Sequence, residues 1–233
     1  MNKVKKARKR FLSILIAAMM IFGVSVTASA ADRSPVEKCG INQFFSKGTY
    51  TNPETGAATP FLFHKALGKQ PMPLIVYRHG SWANGSIGRA AWETRTFVFT
   101  LLLRGHRFNL LVVEGSEDPG PLIEWAKMQA NVDDDRIYGV GYSAGAWNLI
   151  SEVTNHSDRY AAVVLLDGGQ AAPAPMPQWI FWNDLGYPED GINALRKQGV
   201  DVHATNVAGG HDVILQQFPR IREWDKWLFN QHK

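Results

Sequence analysis

Apolar residues fall along this chain in two alternating patterns. Leu74-Ile-Val-Tyr-Arg-His79, Phe108 to Val113, Ala161 to Leu166 and Trp179 to Trp182 are short runs with the length and character of strands buried on both faces. Val200 to Val207 predicts a further strand. Between these runs, Ala90 to Leu103, Pro121 to Gln129, the stretch from Ala146 onward, Ile192 to Lys197 and Ile221 to Phe229 carry apolar residues at helical spacing, with Gly105 and Gly199 closing two of the helices. Buried strands alternating with helices predict an α/β fold, a mostly parallel sheet covered on both faces. Residues 31–60 break the pattern: they are polar and turn-rich, with a hairpin or loop at Asn52-Pro-Glu-Thr-Gly56 and a short strand at Phe61-Leu-Phe-His64. Ala171-Ala-Pro-Ala-Pro-Met-Pro177 is a stiff connector too short to hold a helical lid. No repeat is visible, and residues 31–233 read as a single domain.

In sheets of this kind the functional loops gather at the carboxyl ends of the strands. The segment Arg136-Ile-Tyr-Gly-Val-Gly-Tyr-Ser-Ala-Gly-Ala-Trp-Asn-Leu-Ile150 runs from a strand at Ile137 to Val140, through Gly141-Tyr142-Ser143-Ala144-Gly145, into a helix. That is the setting of a nucleophile elbow, and it makes Ser143 the candidate nucleophile. The flanking glycines answer to crowding, since a turn this sharp leaves no room for a Cβ at 141 or 145.

A serine hydroxyl needs a base to take its proton, and a histidine oriented by a carboxylate suits. His211 is best placed, because Ala208-Gly-Gly-His-Asp212 carries it on a loop directly after the last strand. His79 sits beside the loop Gly80 to Ser86 and reads as a structural hydrogen-bonder; His64 reads as an edge-strand side chain. In the chain order serine, acid, histidine, the acid falls between 143 and 211. Asp184, after the strand ending at Trp182, is favoured; Asp167 after the preceding strand competes with it, as do Glu189 and Asp190, which equally suit the first turn of a helix. Backbone N–H groups of Ser81 and Ala144 are positioned by sequence to receive a developing oxyanion. Among the aromatic residues, Trp82, Tyr142 and Trp182 stand near these positions as substrate contacts, whereas Trp125, Trp224 and Trp227 fit helix cores.

The first thirty residues read as a secretory signal peptide: a basic stretch from Lys3 to Arg10, an apolar stretch from Phe11 to Val26, and Ala28-Ser-Ala30 as the cleavage site. Export to the periplasm or beyond, with no stable membrane anchor after cleavage, is the expectation. The chain has 25 Lys and Arg against 21 Asp and Glu; the six basic residues within the signal leave 19 against 21, a net charge of −2. Charge therefore gives no reason to expect a nucleic-acid partner. A lone cysteine, Cys39, allows no internal disulfide. His-Glu-x-x-His, paired cysteines and a glycine-rich phosphate loop are all missing, so no metal or cofactor is implied.

Tyr77-Arg-His-Gly80, Val132-Asp-Asp-Asp-Arg-Ile-Tyr138 before Gly141-Tyr-Ser-Ala-Gly145, Tyr160-Ala-Ala162, Ala194-Leu-Arg-Lys-Gln-Gly199, Gly209-Gly-His-Asp-Val213 and the closing Trp224-Asp-Lys-Trp-Leu-Phe-Asn-Gln231 together span residues 74–231. In this set the chain resembles secreted α/β-hydrolase-fold esterases of the polyhydroxybutyrate-depolymerase, feruloyl-esterase and dienelactone-hydrolase-like kind. The resemblance implies an α/β-hydrolase fold without a lid domain and a triad of Ser143, Asp184 and His211. It also implies hydrolysis of small-molecule or polysaccharide-linked esters. A peptidase or lipase of the same fold, and a catalytically inactive binding protein, are the alternatives.

Overall fold

The computed structural model describes residues 44–53, 55–183 and 186–233. The expected signal peptide, Cys39 and Asp184 lie outside the described residues. Among the described residues eight strands form one sheet: β1 (Ser46–Thr51), β2 (Ala58–His64), β3 (Met72–Arg78), β4 (Asn109–Val113), β5 (Val132–Tyr142), β6 (Ala162–Leu166), β7 (Gln178–Trp182) and β8 (Val202–Asn206), in the order β1-β2-β4-β3-β5-β6-β7-β8. β3 to β8 run parallel, while β1 and β2 form an antiparallel hairpin against β4. The hairpin loop at Asn52 to Gly56 is closed by the Gly56 N–H donating to Asn52 O at 2.8 Å. β1 escapes a hydrophobicity reading because, as an edge strand, it is mostly exposed.

Among the described residues there are six α-helices: α1 (Ile87–Leu103), α2 (Gly120–Gln129), α3 (Ala144–Asn155), α4 (Glu189–Lys197), α5 (Ile214–Gln217) and α6 (Trp224–Phe229). Alternate side chains of each strand feed opposite cores. On β3, Ile75 and Tyr77 join α1, α5 and α6, while Leu74 and Val76 join α2, α3 and α4. The last predicted helix begins at Trp224 rather than Ile221, because Glu223 adopts φ +82° and breaks the helical path. The connector after β6 is packed rather than free: the Gln178 amide accepts from Ala172 N–H and donates to the Ala172 and Ala174 carbonyls, at 2.8–3.1 Å.

The sheet order decides where a site can form. From β3 the chain crosses by α1 to β4 on one side, and from β5 it crosses by α3 to β6 on the other. The loops after β3 and β5 therefore diverge, opening a crevice at their carboxyl ends. Beside it, buried Arg78 donates to Gly115 O at 2.9 Å and Glu117 O at 3.0 Å, tying the β4–α2 loop to the same rim.

Candidate active site

Ser143 sits between β5 and α3 with φ +52° and ψ −120°. An L-residue in such a region carries strain on the order of 1–3 kcal/mol and stays there only when its surroundings over-determine it. Here they do: the Ser143 N–H donates to Leu166 O at 2.9 Å, and Ser143 O accepts from Ala146 N–H at 2.9 Å. A Cβ on Gly141 would lie 2.7 Å from Ala146 Cα, and one on Gly145 would run into the carbonyls of Arg78 and His79. Backbone cannot yield as a side chain can, so both positions require glycine.

His211 opens a short 3₁₀ turn, His211–Val213, after β8. Its Nε2 lies 2.8 Å from Ser143 Oγ and its Nδ1 lies 2.5 Å from Asp167 Oδ2. A carboxylate only accepts, so Nδ1 carries the hydrogen and Nε2 is left to receive the serine proton. The Tyr142 ring stacks on the imidazole at 5.1 Å, and its hydroxyl reaches His211 O at 3.4 Å and Asp212 Oδ1 at 3.3 Å. Burial pushes the Tyr142 hydroxyl pKa up, and the nearby Asp212 adds to it. Tyr142 thus serves as a neutral brace for the histidine loop.

For the acid, the described residues include one of the competing candidates. Asp184 lies outside the described residues; the Asp167 carboxylate, fully buried, meets the His211 ring. β6, which ends at Asp167, is the sheet neighbour of β5, which ends at Ser143, so the two groups leave the sheet side by side. Asp167 adopts φ +48°, and its N–H donates to Phe181 O at 2.7 Å. Its Oδ1 accepts the Asn183 N–H at 3.1 Å. The Asn183 side-chain amide donates to the carbonyls of Gly209 and Gly210, the latter at 3.1 Å, and so straps acid and histidine loops together. Glu189 and Asp190 are exposed in the first turn of α4, where negative charge suits the helix dipole.

Ala144 is the first residue of α3, and Ser81 opens the 3₁₀ turn Ser81–Ala83 that follows β3. First-turn amides have no intrahelical acceptor, which leaves both N–H groups available to a ligand. The two segments touch: a Cβ on Gly80 would lie 3.4 Å from Ser143 Cβ and 2.8 Å from the Tyr142 ring. His79 is buried, and its Nδ1 donates to Gly80 O at 2.8 Å; burial lowers its pKa and keeps it neutral. His64 is likewise structural, stacked on Phe44 at 3.7 Å.

A cleft of about 230 Å³ opens beside the elbow, lined by Trp82, Trp92, Glu93, Tyr142 and Leu215 among others. Trp82 is half exposed over it. Trp182 ends β7, two strands from the elbow, and packs against Tyr187 at 5.4 Å. Trp224 is fully buried and Trp125 packs on Phe61 and Phe63, both as helix-core residues.

Two polar residues at this rim carry weaker sequence signals. Asn183 gives none beyond its place after a strand. Glu93 is legible in retrospect, for it falls on the stripe formed by Ala90, Phe97 and Leu101, the buried face of α1. Its Oε2 accepts from Tyr77 OH at 2.9 Å and from Gly80 N–H at 3.1 Å, while Oε1 is buried without a partner among the described residues. Burial raises its pKa to about 7; the two hydrogen bonds oppose that rise and the charge of Asp212 adds to it. Among the described residues no group of three or more His, Cys, Asp and Glu side chains is arranged to hold a metal ion, and no helix is long and apolar enough to cross a membrane.

No protein-family model matches the chain, and no curated protein matches it in sequence. Solved structures do. A thermostable esterase aligns with a TM-score of 0.66 at 20% identity over 83% of this chain and 64% of its own, so the chain spans just under two thirds of that esterase. An S-formylglutathione hydrolase (FrmB) from Staphylococcus aureus aligns with a TM-score of 0.60 at 11% identity, over 80% of this chain and 98% of that one. A ferulic acid esterase aligns with a TM-score of 0.56 at 14% identity, over 79% and 95%. With the mostly parallel eight-stranded sheet, these likenesses show that the chain has the α/β-hydrolase fold.

Proposed function

We propose that this protein is a serine hydrolase that cleaves carboxylic esters through an acyl-enzyme on Ser143. The observation that carries the reading is the hydrogen-bonded series from Ser143 Oγ through the His211 ring to buried Asp167. In the first half-reaction Ser143 Oγ attacks the ester carbonyl carbon and its proton passes to His211 Nε2. The oxyanion falls to the N–H groups of Ala144 and Ser81; a donor of this kind is worth about 10²–10³ in kcat. The alcohol leaves with the proton from His211. Water then gives its proton to the same nitrogen, attacks the acyl group, and the carboxylic acid departs as Ser143 Oγ recovers the proton. Asp167 holds the imidazole in the required tautomer throughout and takes no proton.

Esterases and serine hydrolases among the structural neighbours favour this reading over a peptidase. Short-chain, aryl and carbohydrate-linked esters suit a site whose β6–β7 connector is short and packed down, an arrangement that disfavours a lidded lipase. Secretion follows from the N-terminal sequence. A fluorophosphonate probe should label the wild type at Ser143 and leave Ser143→Ala unlabelled, with turnover of p-nitrophenyl acetate lost and the thermal midpoint retained. A folded wild type that neither takes the label nor turns over acetyl or longer esters would leave the binding-protein alternative standing.

A further inference from the structure

Gly80 is held at both ends of its backbone. Its carbonyl accepts from Ala83 N–H at 3.0 Å and from His79 Nδ1 at 2.8 Å, and its N–H donates to Glu93 Oε2 at 3.1 Å. The next amide along is Ser81, the second oxyanion donor in the proposed reaction. Small rotations at Gly80 therefore re-aim that N–H, and among the described residues the side-chain hold on the Gly80 N–H comes from α1. We propose that Glu93 is a positioning residue of the hydrolysis: its carboxylate grips the Gly80 N–H and so sets the direction of the Ser81 amide. This rests on the function proposed above.

The grip depends on charge. A hydrogen bond to a carboxylate is roughly twice as strong as one to a neutral carboxyl, so protonation of Glu93 loosens Gly80. The groups facing Glu93 are Tyr77 from β3, Tyr142 from β5 and Asp212 from the turn after β8, with Arg95 of α1 lining the same cleft. Repulsion between an ionised Glu93 and the oxyanion acts in the opposite sense. The direct 3.1 Å bond to Gly80 sets the sign of the test.

The test follows the backbone amide of Gly80 by NMR in the full folded protein, alongside kcat for p-nitrophenyl acetate across pH 5–9. In the wild type the Gly80 resonance should titrate with a midpoint near 7. The acid limb of kcat should contain that ionisation in addition to protonation of the base. In Glu93→Gln the Gly80 resonance should be flat, the limb should contain one ionisation, and kcat should fall about tenfold with KM within about twofold, less than the loss of a whole oxyanion donor. Tyr77→Phe withdraws one donor and leaves the Gly80 bond, so it should raise the NMR midpoint and the extra ionisation in kcat together; it decides the matter if Glu93→Gln does not fold. A Gly80 amide that does not titrate overturns the proposal. So does a Glu93→Gln enzyme as fast as or faster than wild type, or a Tyr77→Phe enzyme whose kcat profile stays put while its NMR midpoint moves. In those cases hydrolysis itself survives; a wild type without hydrolysis or fluorophosphonate labelling removes both.

Discussion

Replacing Glu93 by glutamine removes a carboxyl whose pKa burial raises from 4.5 to about 7. Between those values the unfolded chain releases the proton while the folded protein keeps it, so the folded state binds more protons and stability falls as pH rises. Glu93's contribution is fully present below 4.5, is lost as pH rises through about 7, and is constant beyond. At about 1.36 kcal/mol per pH unit the loss over that window is about 3 kcal/mol, little screened because the side chain is 2% exposed. Glu152, also raised by burial, adds a slope of the same sign, and His64 and His79, lowered by burial, add the opposite one. The difference between wild type and Glu93→Gln cancels all three. Urea unfolding of both proteins at half-unit steps from pH 4.5 to 8 should show the variant gaining about 3 kcal/mol relative to wild type across the window, or roughly 10 °C in thermal midpoint. A difference curve flat to within about 0.5 kcal/mol would refute the reasoning, because it would mean that Glu93 is as well solvated in the folded protein as in the unfolded chain.

Further outcomes follow from the same geometry. Asp167→Asn should lower kcat by about 10⁴-fold, since an amide in that place presents the wrong hydrogen-bonding partner to Nδ1, and Asp184→Asn should stay within a few fold of wild type; steady-state kinetics with p-nitrophenyl acetate separates them. Gly145→Ala should yield little folded protein by circular dichroism and size exclusion, because its Cβ meets the Arg78 and His79 carbonyls. Asp225, 3% exposed, accepts from Arg104 at 2.7 Å and His106 at 2.8 Å and so joins α6 to the end of α1. Asp225→Ala should cost about 3 kcal/mol in a urea titration at pH 6, with catalysis of the folded fraction unchanged.

The site joins two kinds of constraint. Strain at Ser143 and Asp167, both at positive φ, is held by hydrogen bonds that run from one strand end to the next: Ser143 to Leu166, Asp167 to Phe181 and Val207 to Trp182. Each loop of the proposed site is thereby registered against its neighbour. Asn183 completes the series by contacting both Asp167 and the carbonyls before His211.

The chain by itself determined the alternation of buried strands and helices, the two glycines around Ser143, and His211 on the loop after the last strand. These are local matters, set by hydrophobic period, by crowding within a five-residue turn and by position after a strand. Tertiary structure alone brought the Asp167 carboxylate to the histidine. Both Asp167 and Asp184 follow strands in the sequence; that β6 lies against β5 and that Asp167 adopts a left-handed backbone are not written in local sequence. The same holds for Glu93: its place on an apolar helix face can be read from the text, but its bond to Gly80 exists only because α1 packs across the end of β3.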